Sequence, residues 1–517
     1  MQINVVKNGK KNLLIGFINR IILLLCPFIE RTLIIRILGA QYLGLGSLFS
    51  SVLSVLSITE LGFGGAVVYH MYKPVAEGDT KKVNALLAYY RKAYHIIGFA
   101  IFGLGIAVIP FLRGLIQGTY PENINLIALY MIYLVNSCIS YFMFSYLDSI
   151  LVVYQREDIK STINSVVKVV ILACQITVLL LTKNYYLFAL FMPVLTMINH
   201  LWTARRVRQL YPQYRAEGSL LPQDRAEIRK LVTGTFVQST CTMSRNSLDN
   251  ICISAFLGLT LTAIYNNYFM VFSGLIAFVG IINASFIGGI GNHVATRSVE
   301  ENYEEMKKLD FVYLWFGGWC TICLLCLYQP FMQIWMGKEL MLPFPAVCLM
   351  CLYFYLLRLG DIRFMYLAAK GLWWEQRYRA IGETITNLVL NIALGKLFGV
   401  YGIISATIIS LFFCNYIWSN RITFKHYFST ERLKDYYQYQ GKQSIMVLIA
   451  CLVTLGICEA IKIENLLIQL AARVIICVIV PNALFYLAYR KTERFDYAKR
   501  KIFDRHSASD PETSSAP

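Results

Sequence analysis

Charge is what this sequence has least of. Aspartate, glutamate, lysine and arginine make up 15% of its 517 residues, where a soluble domain carries roughly 25%. As one soluble globule the chain would need a larger apolar core than domains build, with too little charge to solvate the outside. Extended polar segments are missing as well: the largest, Arg205 to Lys230, is too short for a catalytic domain. No G-x-x-x-x-G-K-[S/T] phosphate loop occurs, which argues against direct use of ATP. The 14 cysteines sit almost entirely inside apolar runs, which argues against a secreted disulfide framework. No small-x-small cleavage site follows the basic lead-in of Lys7, Lys10 and Lys11, so the first apolar stretch reads as a retained anchor.

What the sequence does have is apolar length. Hydrophobic residues make up 57% of it, and a helix crossing the hydrocarbon core needs about 20 mostly apolar residues. Fourteen stretches qualify: 12–37, 42–69, 94–113, 124–150, 162–182, 185–204, 232–257, 260–291, 309–335, 342–369, 378–398, 400–420, 443–461 and 465–489. Loop charge tests the count, because lysine and arginine collect on the cytoplasmic side. With the N-terminus inside, the inner set holds Lys73, Lys81, Lys82, Arg91 and Lys92, the cluster from Arg205 to Lys230, and the tail from Arg490 to Arg505. The outer loops hold Arg36, Arg113, Lys183, Lys338, Lys396 and Lys462. One missed helix would invert every later loop and destroy this asymmetry. The expectation is an all-α, polytopic membrane protein of about 14 transmembrane helices with both termini cytoplasmic. Its net charge of +18 then faces anionic lipid, and no nucleic acid is implied. The tail 506–517, HSASDPETSSAP, has the composition of a disordered segment.

A repeat organises these helices. Glu30–Phe49 (ERTLIIRILGAQYLGLGSLF) can be laid without a gap on Asp249–Tyr268 (DNICISAFLGLTLTAIYNNY), so that Leu38-Gly39 falls on Leu257-Gly258. The match sets the first two spans over the seventh and eighth, both starting inward-to-outward, so the repeat is parallel. It implies an N-terminal six-helix bundle at 1–204, a basic cytoplasmic linker at 205–231, a second six-helix bundle at 232–425, two extra helices at 426–491 and a basic tail at 492–517.

The stretch LGAQYLGLGSLFSSVLSVLSITELGFGGAVVYHMYKPVAEGDTKKVNALLAYYRKAYHIIG, together with SLDNICISAFLGLTLTAIYNNYFMVFSG, resembles the corresponding helices of bacterial polysaccharide repeat-unit flippases. These are the Wzx-type members of the multidrug/oligosaccharidyl-lipid/polysaccharide exporter superfamily. The resemblance covers roughly residues 10 to 425. It implies translocation of an oligosaccharide on an undecaprenyl pyrophosphate carrier across the bacterial cytoplasmic membrane, with a polysaccharide polymerase and glycosyltransferases as working partners. It does not imply which glycan is moved. A flippase of the peptidoglycan lipid precursor and a small-molecule or multidrug exporter of the same superfamily share this architecture. A membrane glycosyltransferase or polymerase would need acidic catalytic groups or a large outer loop, and every outer loop here is short.

Charges within spans cost about 2.5–3.5 kcal/mol each at mid-bilayer and so face cavities or partners. Planar guanidinium groups suit a pyrophosphate, because each can make bidentate contacts. Arg20, Arg31, Arg245 and Arg358 are therefore the candidate substrate ligands. Arg20 and Arg31 lie about three turns apart on one face, with Pro27 between them, where a kink could act as a gate. Arg245 sits one turn from Asp249, and Arg358 one turn from Asp361; each pair could equally be an intrahelical ion pair that eases insertion. Glu30, Asp249 and Glu383 are the candidate carboxylates for coupling to H⁺ or Na⁺. Lys168 is a weaker cavity candidate, while Arg363 and Asp148 lie near cytoplasmic ends, where snorkelling is expected. Arg473, in the extra pair, is set aside. Tyr265, Asn266, Asn267 and Tyr268 could face sugar or bond helix to helix. Cys320, Cys323 and Cys326, with Cys348 and Cys351, mimic zinc-ribbon spacing, but no histidine accompanies them and all lie in spans. They read as small apolar residues, and no metal or cofactor is expected.

Overall fold

The computed structural model describes residues 5–57, 62–461 and 463–503. Among these residues there is no strand. Ten helices make up the first part of the chain: α1 (Val5–Ile37), α2 (Ala40–Leu56), α3 (Phe63–Glu77), α4 (Thr80–Val108), α5 (Leu126–Phe142), α6 (Asp148–Val153), α7 (Glu157–Thr182), α8 (Tyr185–Leu210), α9 (Pro222–Leu257) and α10 (Leu259–Thr296). Eight more follow: α11 (Val299–Met336), α12 (Phe344–Leu359), α13 (Asp361–Lys370), α14 (Arg377–Ser410), α15 (Ser419–Thr423), α16 (Leu433–Ala460), α17 (Leu466–Tyr489) and α18 (Glu493–Phe503). The tail 506–517 lies outside the described residues.

The protein is an all-α polytopic membrane protein, as its composition requires. Among the described residues nine helices are long and apolar enough to cross a membrane, and the bent pair 126–142 with 145–153 makes a tenth. Several expected spans are not single helices. The stretch 42–69 is split into α2 and α3, with residues 58–61 outside the description. The stretch 124–150 bends by 49° where α5 gives way to α6, and 342–369 breaks at Gly360 between α12 and α13. Conversely, the apolar helix spanning 377–428 contains two expected spans. Gly399 takes a non-helical conformation (φ 58, ψ −135), and Gly402 then comes so close to the Leu394 carbonyl that a Cβ would stand 1.9 Å from its oxygen. The chain kinks there, with Gly399 supplying the positive φ and Gly402 the close approach. α1 runs without interruption through Pro27.

Local chemistry sets the helix starts. Asn125, Asn184 and Asn465 cap α5, α8 and α17, each side chain accepting from two backbone N–H groups. All three follow loops assigned to the outer side. Ser298 and Glu301 form a capping box at the start of α11, satisfying otherwise orphaned donors.

Packing separates two compact units, residues 1–270 with 384–403, and residues 271–383 with 404–517. In the first, α1 packs along α7, α7 and α5 pack on α8, and α2 packs on α9. In the second, α11 is the hub for α12, α16 and α17. The extra pair, α16 and α17, is thus no loose appendage: Val447, Cys458, Cys477 and Phe485 share a buried cluster with Leu314, Ile322 and Cys326 of α11. This grouping by packing runs across the expected bundles 1–204 and 232–425, because α9 and the start of α10 pack among the first helices.

Candidate functional site

The repeat reappears in the backbone. Gly39, between α1 and α2, has φ 109 and ψ 164, and Gly258, between α9 and α10, has φ 89 and ψ 172. The two glycines aligned by the repeat take nearly the same conformation, one that L side chains avoid. Close approach follows: Gly44 of α2 lies against the Leu259 backbone, where a Cβ would stand 2.1 Å from the carbonyl oxygen.

This packing lines an open polar cavity of about 360 Å³ in the first unit. α1 supplies Pro27, Glu30, Arg31 and Ile34; α2 supplies Ser47, Ser50, Ser51 and Ser54; α9 and α10 supply Asn246, Ser247, Asn250 and Asn266. Tyr133 and Tyr185 close one side, their hydroxyls 3.0 Å apart. Gly46 leaves room for them, since a Cβ there would come within 2.6 Å of the Tyr133 hydroxyl.

The polar lining is cross-bonded between the two halves of the repeat. Arg31 Nη1 donates to Asn267 Oδ1 at 2.9 Å. Asn250 Nδ2 donates to Ser51 Oγ at 3.1 Å, and Asn266 Nδ2 donates to Asn250 Oδ1 at 2.7 Å. Thus α1 bonds to α10 while α9 bonds to α2, a swapped arrangement that the repeat makes intelligible. The alignment that lays Glu30 on Asp249 lays Arg31 on Asn250, not on Arg245. Glu30 is paired with Lys168 of α7 at 3.1 Å, both side chains about one-fifth exposed. Glu30 therefore answers a lysine across helices, and the cavity wall carries the acidic member of that pair beside a guanidinium.

The remaining candidates are placed differently. Arg20 shares a face with Arg31 but is exposed and absent from the cavity lining, its three turns carrying it about 16 Å along the helix. Arg245 is buried, 7% exposed, and does not line the cavity; its neighbours Asn246, Ser247 and Asn250 do. Asp249 turns toward α14: Asn391 Nδ2 donates to its Oδ1 at 2.8 Å, Tyr265 OH to its Oδ2 at 3.3 Å, and Asn391 also bonds Asn387 Oδ1 at 3.2 Å. α9 thus shows carboxamides and a hydroxyl to the cavity and Asp249 to α14.

Arg358 and Glu383 belong to the second unit. Arg358 pairs with Asp361 at 2.7 Å, lies over the Phe354 ring at 5.2 Å and fits against Gly317; Tyr313 donates to the same carboxylate. Glu383 pairs with Arg379 one turn away, both buried. The Arg379–Glu383 pair lies within one helix and the Arg358–Asp361 pair bridges the break at Gly360; each neutralises charge for insertion. Arg363, expected to snorkel, is instead 1% exposed and held by Asn415 and Ser419. The wide-turned helix at Leu411–Trp418 supplies the Asn415 acceptors. Asp148 pairs with Lys160 at 2.7 Å.

Sequence reasoning missed the serine row, the Tyr133–Tyr185 pair and Asn391. The serine row had a signal: 47, 50, 51 and 54 recur at helical spacing in an otherwise apolar helix. The tyrosine pair and Asn391 come from distant helices and had none. Of the four residues at 265–268, Asn266 lines the cavity, while Asn267 and Tyr265 make helix-to-helix bonds.

No protein-family description matches the chain, and no curated protein matches it. Solved structures do. The inward closed conformation of the lipid II flippase MurJ superposes with a TM-score of 0.66 at 14% identity, covering 92% of this chain and 98% of that one. The inward-facing conformation of a multidrug resistance MATE family transporter of the MOP superfamily gives 0.57 at 13% identity, covering 76% and 93%. A MOP superfamily transporter from Pyrococcus furiosus gives 0.52 at 12% identity, covering 81% and 96%. The chain has the fold of the MOP-superfamily transporters. At these identities the likeness is one of fold. It reaches across 92% of the chain for the lipid II flippase, whose length therefore matches that of this protein closely.

Proposed function

We propose that this protein is a flippase that carries an undecaprenyl-pyrophosphate-linked oligosaccharide repeat unit across the cytoplasmic membrane by alternating access. The observation that carries the reading is Arg31: a guanidinium inside apolar helices, set by Asn267 and facing a cavity lined with hydroxyls and carboxamides. A guanidinium supplies bidentate donors for a phosphate, and hydroxyls and carboxamides both donate and accept, as a sugar requires. A volume of about 360 Å³ fits a headgroup portion rather than an entire repeat unit, so the rest of the glycan needs the open states of the cycle. The lipid tail stays in the bilayer, with α1 and α9 as the lateral portal. Among the described residues α1 packs chiefly on α7, and α9 on α2, so neither helix is locked to the other by an extensive interface.

Ion coupling is assigned to Asp249. Its carboxylate accepts from the Asn391 carboxamide, which also bonds Asn387, and from the Tyr265 hydroxyl; with the amide groups turned, carboxylate, amide and phenol oxygens would together suit a hard cation such as Na⁺. Glu30 and Glu383, each salt-bridged, act as structural partners in this reading. The protein is not an enzyme and works with the enzymes that assemble and polymerise the glycan.

A second reading is favoured by one finding: the fold covers almost the full length of the lipid II flippase, which supports the peptidoglycan lipid precursor as substrate. A multidrug exporter is the third, supported by the MATE likeness. Complementation decides among them. In a strain lacking its own repeat-unit flippase the protein should restore surface glycan per folded transporter. Rescue of a strain lacking its lipid II flippase, without rescue of surface glycan, would replace the first reading with the second.

A further inference from the structure

Three thiols from three helices converge in the second unit. The Sγ atoms of Cys326 (α11), Cys458 (α16) and Cys477 (α17) all lie within 4.8 Å of one another, and the three residues are at most 1% exposed. Cys323 lies one turn before Cys326 on the same helix. The cysteines whose spacing mimics a zinc ribbon are grouped differently in space: Cys348 and Cys351 are not in the cluster, and the partners of Cys326 come from the extra helix pair.

The geometry points to a binding site for a thiophilic divalent d¹⁰ cation, of the zinc and cadmium class, formed by Cys326, Cys458 and Cys477. A Zn–S bond is about 2.3 Å, which places three thiolates about 4 Å apart, so an ion would draw the sulfurs together by less than about 1 Å. The charge beside the cluster selects the class. Arg473 of α17, 8% exposed, donates from Nη1 to the Cys326 carbonyl at 3.3 Å, while Nη2 pairs with Glu459 at 3.0 Å. Its Nε is buried with no acceptor, and its charge acts on Cys458 and Cys477. A divalent ion with three thiolates carries one negative charge, and the Arg473 guanidinium, shared with the exposed Glu459 carboxylate, lies beside it. A monovalent ion would leave two negative charges on the cluster, which burial disfavours further. Binding exchanges three thiol protons for three metal–sulfur bonds with no change of oxidation state. Because the three ligands tie α16 and α17 to α11, the ion would fasten the extra helix pair to the second unit.

The full-length protein in detergent, reduced and freed of metal, is titrated with Cd²⁺ and followed by the ultraviolet cadmium–thiolate charge-transfer band. One equivalent should bind, and the wild type should melt at a higher temperature when loaded. Cys458→Ala and Cys477→Ser should each lose the band, while Cys348→Ala, outside the cluster, keeps it. Should a cluster variant fail to fold, the wild type still decides: bound Cd²⁺ should shield Cys326, Cys458 and Cys477 from alkylation, mapped by mass spectrometry. No band, a band that survives Cys477→Ser, protection of other cysteines, or a disulfide within the cluster would each overturn the site. None of these readouts depends on transport.

Discussion

At the scale of single residues, Arg31 and the Glu30–Lys168 pair make separable predictions. Replacing Arg31 with Ala should abolish surface glycan while the protein remains in the membrane. Lys at that position should restore only part of it, since it keeps the charge and loses the fork. The check is glycan per folded transporter. Glu30 and Lys168 behave differently. Removing either alone leaves a charge in the span, costing about 3 kcal/mol, and lowers the amount of folded protein. The double change Glu30→Gln with Lys168→Gln should recover folded protein and much of the export; a double variant that folds but exports nothing would give one of the two a direct transport role. Arg245 and Asp249 were read in the sequence as a helix-face pair. The structure adds that Asp249 bonds Asn391 and Tyr265, so wild-type export by Arg245→Ala with Asp249→Ala would exclude both Arg245 as a ligand and Asp249 as the coupling group.

At the scale of elements, the glycine turns are the test of the repeat. Gly39→Ala and Gly258→Ala each place a Cβ on a positive-φ residue in a region open essentially to glycine, at about 1–3 kcal/mol; the melting temperature should fall in both, and further for Gly258→Ala, whose Cβ would also meet the Gln117 carbonyl at 3.1 Å. Gly44→Ala should be far worse, because the Leu259 carbonyl is backbone and cannot give way. Equal tolerance at Gly44 would mean that α2 and α10 do not pack as described. The portal has its own test: cysteine pairs at the outer ends of α1 and α9 should crosslink in the inward-open state and block export. Export that persists with the crosslink complete would remove these helices from the portal. The element scale also shows where the sequence was readable. Apolar length located nearly every helix, and the Leu-Gly alignment located the repeat. The breaks at 142–148 and 360 were invisible, because the apolar stretches continue through them and packing decides whether they bend. Arg363 was misread for the same reason: its depth along the chain suggested the surface, while the wide-turned helix at 411–418 buried it. The cavity face of α9 was shifted by one residue from Arg245 to Asn246, a rotation that no single-helix pattern could fix.

At the scale of the whole molecule, the positive-inside pattern predicts that an impermeant thiol reagent reaches a cysteine placed at Lys183 or Lys338 from outside the cell, and does not reach one at Gln213. Coupling through Asp249 predicts that Asp249→Asn abolishes the response of transport to an imposed ion gradient; the arm that fails, Na⁺ or H⁺, identifies the ion. The central claim is that a lipid-linked oligosaccharide crosses the membrane through the Arg31 cavity, and reconstitution tests it most directly. Proteoliposomes holding an undecaprenyl-pyrophosphate oligosaccharide in both leaflets are exposed to a membrane-impermeant glycan-cleaving enzyme. With the wild-type protein all of the substrate should become accessible, whereas with Arg31→Ala only the outer-leaflet share should be cut. Wild-type vesicles that protect the inner-leaflet share as well as protein-free vesicles do, or an Arg31→Ala protein that exposes all of it, would contradict the account.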